Sequence, residues 1–253
     1  MKITTNTCPE KAALLIESFF PIACAWGRLR VEKQKRIALV DLDQLREDDV
    51  VLLLSEAERI YFQRFHHPKR RREWLCGRIA AKMALLDMYE AEEFRRLTLL
   101  PDEHGRPVVS GLTKNNLSLS ITHSGKYAAA LAVPRESCGI DLQKISDKLP
   151  SLINYFASET ELKLLKNQSD LGNQETALTM LWAVKEAVKK SVFADQPGIF
   201  SGIEAQRISA AGDHTWRFEC GTHGCAIQIV AVHDFAPYIL ALTEKDGQNT
   251  LLA

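Results

Sequence analysis

Hydrophobic and polar positions fall into two rounds of one grammar along the chain, helical spacing first and strand-like runs after it. Residues 22–31 and 37–42 read as strands. Ser55-Glu56-Ala57-Glu58 sets a serine before two acids, so a helix is predicted from there to about residue 65. A longer helix is predicted over 69–89, where Trp74, Leu75, Ile79, Met83 and Leu86 recur at helical spacing. Residues 117–122 alternate apolar with polar, as a half-buried strand does, and stop at His123-Ser124-Gly125. Strands at 127–133 and 138–143 follow, separated by a turn at 134–137. The second round opens at Ser158-Glu159-Thr160-Glu161 with a helix to about residue 166. A polar loop at 168–174, a long helix over 175–192 and strand-like runs at 216–219, 226–232 and 238–243 complete it. Helices followed by small antiparallel sheets predict an α+β fold, not alternating βαβ units. The turn at 134–137 divides it into halves at 1–135 and 136–253.

Composition narrows the function classes. The chain has 253 residues, 46% hydrophobic and 25% charged, which excludes a disordered tail, a collagen-like fibre and a membrane bundle. Lys+Arg equals Asp+Glu at 32 each, which disfavours a protein that coats nucleic acid. No apolar run approaches the ~20 residues of a membrane span, so no membrane partner is expected. Residues 12–25 imitate a signal peptide, but Lys11, Glu17 and Pro21 interrupt the apolar stretch. Six scattered cysteines in a chain this long point to a reduced, cytoplasmic setting. Cys220-Gly221-Thr222-His223-Gly224-Cys225 reads as a hairpin turn, not as a metal site.

Three local patterns carry candidate chemistry. In Gly139-Ile140-Asp141-Leu142-Gln143, strand alternation puts Asp141 and Gln143 on one face, beside a glycine that lets a ligand come close. Asp141 suits a Mg²⁺ ligand there, although an ordinary polar strand face reads the same way. In Trp182-x-x-Lys185-Glu186-Ala187-x-Lys189-Lys190, helical geometry sets Glu186 about 40° from Trp182, with the three lysines between about −60° and 80°. An acid among cations can hold a metal and a polyphosphate, or can be a solvated ion-paired face. The third pattern, Ser120-Ile121-Thr122-His123-Ser124-Gly125, offers an imidazole and a hydroxyl to a phosphate at a strand end. The run Lys69-Arg70-Arg71-Arg72 opposes the dipole of its own helix, which suits either an anion site or a solvated basic face. No glycine-rich loop of the dinucleotide or P-loop kind is present.

Together these motifs resemble the 4′-phosphopantetheinyl transferases of the long, Sfp-type class. The matching pieces, in order, are Pro101…His104-Gly105-Arg106-Pro107, Leu119 through Gly125, Gly139 through Gln143, and Trp182-x-x-Lys185-Glu186-Ala187-x-x-Lys190, with the Arg72-to-Arg78 helix upstream. The resemblance implies a pseudo-dimer of two similar α+β halves, each a helix pair on a small antiparallel sheet, with the active site between them and a monomeric chain. It implies coenzyme A as donor and the serine of an acyl or peptidyl carrier protein as acceptor, leaving adenosine 3′,5′-bisphosphate. The N-terminal half would contact coenzyme A and the C-terminal half would hold Mg²⁺ and the diphosphate. Asp141 and Glu186 are then the Mg²⁺ ligands, Lys185 and Lys190 pair with the diphosphate, and Glu186 or a metal-bound water takes the serine proton. His123 corresponds to the 3′-phosphate contact; Ser124, Arg72, Arg78 and Arg106 are further coenzyme A candidates. Gln143 departs from the many members that carry an acid there. It implies a weak ligand or a water in its place, with a greater demand for metal or a preference for Mn²⁺. The alternative reading is a catalytically silent relative that still binds coenzyme A or carrier proteins.

Overall fold

The computed structural model describes residues 26–31, 35–41, 43, 46–85, 96–111, 117–134, 136–193, 200, 202–222 and 225–244. The chain divides into two compact units, one ending at Glu136 and the other beginning at Ser137. Both mix helices with antiparallel sheets.

In chain order, the first unit contains β1 (Trp26–Val31), β2 (Lys35–Asp41), α1 (Glu47–Val51), α2 (Glu56–Phe62), α3 (Pro68–Leu85), β3 (Thr98–Pro101), β4 (Pro107–Ser110), β5 (Leu117–Ser124) and β6 (Tyr127–Pro134). Four of its strands form a sheet in the order β1-β2-β6-β5, and β3 pairs with β4 as a separate hairpin. The long helix α3 packs on β2, β5 and β6. Ala128, Ala130 and Ala132 on β6 belong to the same core cluster as Trp74, Leu75, Ile79 and Met83 of α3. These small side chains let the helix backbone approach the sheet closely. The proline-bounded turn at 101–107 joins β3 to β4, and Asp102 Oδ1 accepts from the backbone N–H groups of His104 and Arg106. Sequence periodicity did not predict α1, β3 or β4; each is only four or five residues long, too short for a period to register. Residues 86–89, expected to extend α3, lie outside the described residues, as do residues 12–25.

The second unit holds β7 (Ile140–Lys144), a 3₁₀ turn (Leu149–Leu152), α4 (Ile153–Phe156), α5 (Glu159–Lys166), α6 (Gln174–Val192), β8 (Ile203–Gly212), β9 (Thr215–Thr222), β10 (Cys225–Phe235) and β11 (Tyr238–Glu244). Its sheet runs β7-β11-β10-β9-β8, antiparallel throughout, and α6 packs on β7, β10, β11 and β8. The edge strand β8 was not predicted from its pattern. The hairpin expected around 220–225 is formed by β9 and β10, with Thr222 opposite Cys225; His223 and Gly224 of its tip lie outside the described residues.

Each unit contains the same buried tie. Ser55 and Glu58 form a reciprocal capping box at the start of α2, and Ser158 and Glu161 do the same for α5. Each glutamate then does more than cap. Glu58 Oε2 also accepts from Lys82 Nζ at 2.7 Å, and Glu161 Oε2 from Lys185 Nζ at 2.7 Å. In both cases the lysine stands 24 residues after its glutamate. Each lysine also donates to a backbone carbonyl 29 residues before it, Leu53 or Phe156. The second glutamate oxygen accepts a strand N–H, from Leu99 or from Ala205.

Strand register repeats as well. β6 starts at Tyr127, opposite Ser124, and its fourth residue, Ala130, faces Ala38 of β2. β11 starts at Tyr238, opposite Phe235, and its fourth residue, Ala241, faces Asp141 of β7. Ala38 of the first unit therefore corresponds to Asp141 of the second, and Met83, next after Lys82, corresponds to Glu186, next after Lys185.

Candidate active site

Asp141 projects from β7 on the face covered by α6, and only 3% of its surface is exposed. Gly139 makes this closeness possible. A methyl group there would run into the Ala187 carbonyl oxygen and press on the Ser191 nitrogen of α6. The start of β7 is fixed from the other side by Thr243, whose hydroxyl accepts from Gly139 N and whose own N–H donates to the Gly139 carbonyl, both at 2.9 Å.

Both oxygens of the Asp141 carboxylate are engaged. Oδ1 accepts from Lys190 Nζ at 2.7 Å, and Oδ2 accepts from Gln143 Nε2 at 3.1 Å. Lys190 Nζ also donates to the Ile140 carbonyl at 3.0 Å, which seats the ammonium at the root of the strand. Glu186 stands one helical turn before Lys190 on α6, with Lys189 Nζ at 3.8 Å from its Oε1. Burial pushes the Glu186 carboxyl above the usual glutamate range, and the charge of Asp141 pushes it further, against Lys190 and Lys189. Two repelling acids, one of them largely desolvated, make a site that a divalent cation would relieve. Two carboxylates are also the usual protein contribution to Mg²⁺, which keeps waters or phosphate oxygens in its other positions. Among the described residues no cluster of three or more His, Cys, Asp and Glu side chains is gathered. Gln143, on the same face of β7, turns its amide nitrogen, not its oxygen, toward Asp141.

Lys185 is not where the motif suggested. Its Nζ is held by Glu161 and the Phe156 carbonyl, and the residue is 4% exposed. Neighbours on a helix diverge by about 100°, so Lys185 and Glu186 address different surroundings. The wide arc drawn on the helical wheel merged a buried face with an open one. Glu161 and its counterpart Glu58 were read only as helix-opening acids. The signal that would have revealed them is the matched Ser-x-x-Glu…Lys spacing in the two halves.

In the first unit, Glu73 gathers several of the expected anion contacts. Its carboxylate lies 3.9 Å from Lys69 Nζ, 3.8 Å from Arg70 and 3.8 Å from His123 Nδ1. The strand end at His123-Ser124 therefore meets the basic first turn of α3. Arg72, exposed, sits 3.7 Å from Asp43. Arg78 is 8% exposed with its guanidinium 4.5 Å over the Trp74 ring. Its Nε has no hydrogen-bond partner, and burial draws its pKa down to about 10, leaving a desolvated cation at neutral pH. Arg106 belongs to the β3–β4 turn; its Nε is likewise buried without a partner.

The model of the 4′-phosphopantetheinyl transferase superfamily matches residues 137–243, and that of the 4′-phosphopantetheinyl transferase N-terminal domain matches residues 57–133. A holo-[acyl-carrier-protein] synthase of Exiguobacterium sibiricum is 35% identical over 105 residues, covering 36% of this chain and 80% of that protein. The chain belongs to the 4′-phosphopantetheinyl transferase superfamily. It is a transferase of that class, and its match to the N-terminal domain model places it with the longer, Sfp-like form. A second holo-[acyl-carrier-protein] synthase, from Bacillus subtilis, is 31% identical over 112 residues, covering 42% of this chain and 90% of that protein. Among solved structures, a holo-(acyl-carrier-protein) synthase from Bacillus anthracis in complex with CoA is 26% identical and aligns with 40% of this chain and 94% of its own, with a TM-score of 0.36. Among the described residues no helix is long and apolar enough to cross a membrane.

Proposed function

We propose that this phosphopantetheinyl transferase moves the 4′-phosphopantetheine arm of coenzyme A onto a serine of an apo acyl or peptidyl carrier protein, in a Mg²⁺-dependent reaction that leaves adenosine 3′,5′-bisphosphate. The observation that carries the reading is the Asp141–Lys190 pair beside the charge-coupled carboxyl of Glu186. The names of the relatives support the substrate pair. Asp141 and Glu186 would hold the metal, which when bound offsets the negative charge of the diphosphate.

The chain's own residues account for the rest. Lys190 spends two ammonium hydrogens on Asp141 and Ile140 and has a third for a diphosphate oxygen. Glu186, on α6 one turn before Lys190, would take the serine proton. The hydroxyl oxygen then bonds to the phosphorus that carries pantetheine, and the bond from that phosphorus to the nucleotide phosphate breaks. In the first unit His123, Ser124, Arg72, Arg78 and Arg106 are the proposed contacts to the nucleotide end of coenzyme A. Arg78 and Arg106 each have a buried nitrogen that an anion would satisfy. The repeated capping-box tie and the repeated register support two similar halves, the pseudo-dimer expected of the long class.

Intact mass spectrometry of an apo carrier protein incubated with coenzyme A and Mg²⁺ tests the reading. The wild-type chain adds the arm, whereas Asp141→Ala and Glu186→Ala lower the rate by about a hundred-fold or more and keep measurable binding of coenzyme A. Binding without any transfer by the wild-type chain would instead identify a silent relative. Full activity in either variant would remove the two-carboxylate site.

A further inference from the structure

We propose that Gln143 is a positioning residue for Asp141, not a metal ligand. The inference rests on the two-carboxylate site proposed above and concerns how its aspartate is held. Asp141 and Gln143 lie on the same face of β7, opposite Ala241 and Ile239 of β11. The 3.1 Å contact between the glutamine side chain and Asp141 Oδ2 fixes which end of the amide faces the acid. An amide nitrogen donates to a carboxylate, whereas an amide oxygen turned the same way would set two acceptors against each other. Lys190 engages Oδ1 of the same carboxylate, so Asp141 is gripped at both oxygens by donors from two elements, β7 and α6. Rotation of the carboxylate would break one contact or the other. With both oxygens held, the carboxylate keeps a fixed direction, and a ligand whose orientation is set before the cation arrives binds it more tightly.

This arrangement also fixes the charge of the site. A glutamate at position 143 would face Asp141 acceptor to acceptor and add a third negative charge beside Glu186. Glutamine supplies the grip without that repulsion. The cation then meets two carboxylates, and none of its positions is taken by the amide.

Mn²⁺ binding to the full chain, without coenzyme A or carrier protein, tests this by electron paramagnetic resonance and by the relaxation of water protons on the bound ion. Gln143→Leu removes the donor and keeps the volume. It should weaken Mn²⁺ binding by about ten-fold, the usual size of losing a group that orients a metal ligand. The number of waters on the bound ion should stay as in the wild type, and the thermal midpoint of the metal-free protein should not fall. Gln143→Asn, a shorter amide, should recover part of the affinity. Unchanged affinity in Gln143→Leu would overturn the proposal, and so would one additional water on its bound ion, because that would make Gln143 a ligand. Asp141→Asn serves as the separate control: if it binds Mn²⁺ as tightly as the wild type, the two-carboxylate site itself fails, whatever Gln143 does.

Discussion

Lys185 and Lys190 lie on one helix and serve opposite ends. Lys185 neutralises a glutamate that is wholly buried, and Lys190, whose side chain is 22% exposed, faces the aspartate of the candidate active site. Losing one partner of a buried pair strands the other charge. Lys185→Met is therefore expected to cost about 3–5 kcal/mol of stability, read as a lower urea midpoint. Lys190→Met also strands the buried Asp141, but that carboxylate keeps its Gln143 donor and the lost ammonium was 22% exposed, so the midpoint should fall less than in Lys185→Met, while transfer slows by about a hundred-fold, the scale of one lost charge-stabilising donor. If Lys185→Met instead unfolded like the wild type and bound coenzyme A more weakly, the diphosphate would be its partner after all. The sequence motif spells the two lysines alike. Their difference lies in Glu161, which reaches Lys185 from another helix, and no local pattern records that.

Among the elements, α6 and β7 depend on one missing side chain. The strand presses so closely on the helix at Gly139 that even a methyl group has no room against Ala187. Gly139→Ala should force the two apart and lengthen the 2.7 Å Asp141–Lys190 contact. A displacement of this kind is expected to lower transfer by about a hundred-fold, with the far-ultraviolet circular dichroism spectrum preserved. A near-normal rate would show that the strand can slide without disturbing the acids. Much at this scale was legible beforehand. The capping serines of α2 and α5, the periodicity of α3 and the strand-like run of β5 each state their element locally, although β5 buries Ser120 and Thr122 of its expected polar face. The short hairpin β3–β4 and the edge strand β8 do not, because their residues gain their conformation from partners far along the chain.

Stability against acid belongs to the whole molecule, through His233. It is 1% exposed in β10, and its ring Nδ1 lies 3.3 Å from Thr215 Oγ1. That hydroxyl already donates to the Asp213 carbonyl, so it accepts from Nδ1–H and leaves Nε2 a bare lone pair, without a hydrogen-bond partner. Burial pulls the imidazole pKa from 6.5 down to about 4. The native state thus prefers the neutral ring. Its contribution is fully present above pH 6.5 and is lost as pH falls through about 4, where folding must accept the charged ring. The loss is on the order of 3 kcal/mol. Urea midpoints between pH 7 and pH 4 should fall for the wild type and fall less for His233→Leu; parallel curves would exclude the histidine as the cause. The likeness of the halves was legible in their shared grammar, whereas the matched ties lie in a 24-residue Glu-to-Lys spacing that no local window spans.

That match has one more consequence. The first unit keeps the tie, the register and the helix-on-sheet core, yet has Ala38 and Met83 where the second has Asp141 and Glu186. The molecule thus carries a blank casting of the half that holds the candidate site. Whatever mutual repulsion and desolvation the two acids impose on their scaffold is absent from the casting, and the difference between the two measures what chemistry asks of an otherwise shared design.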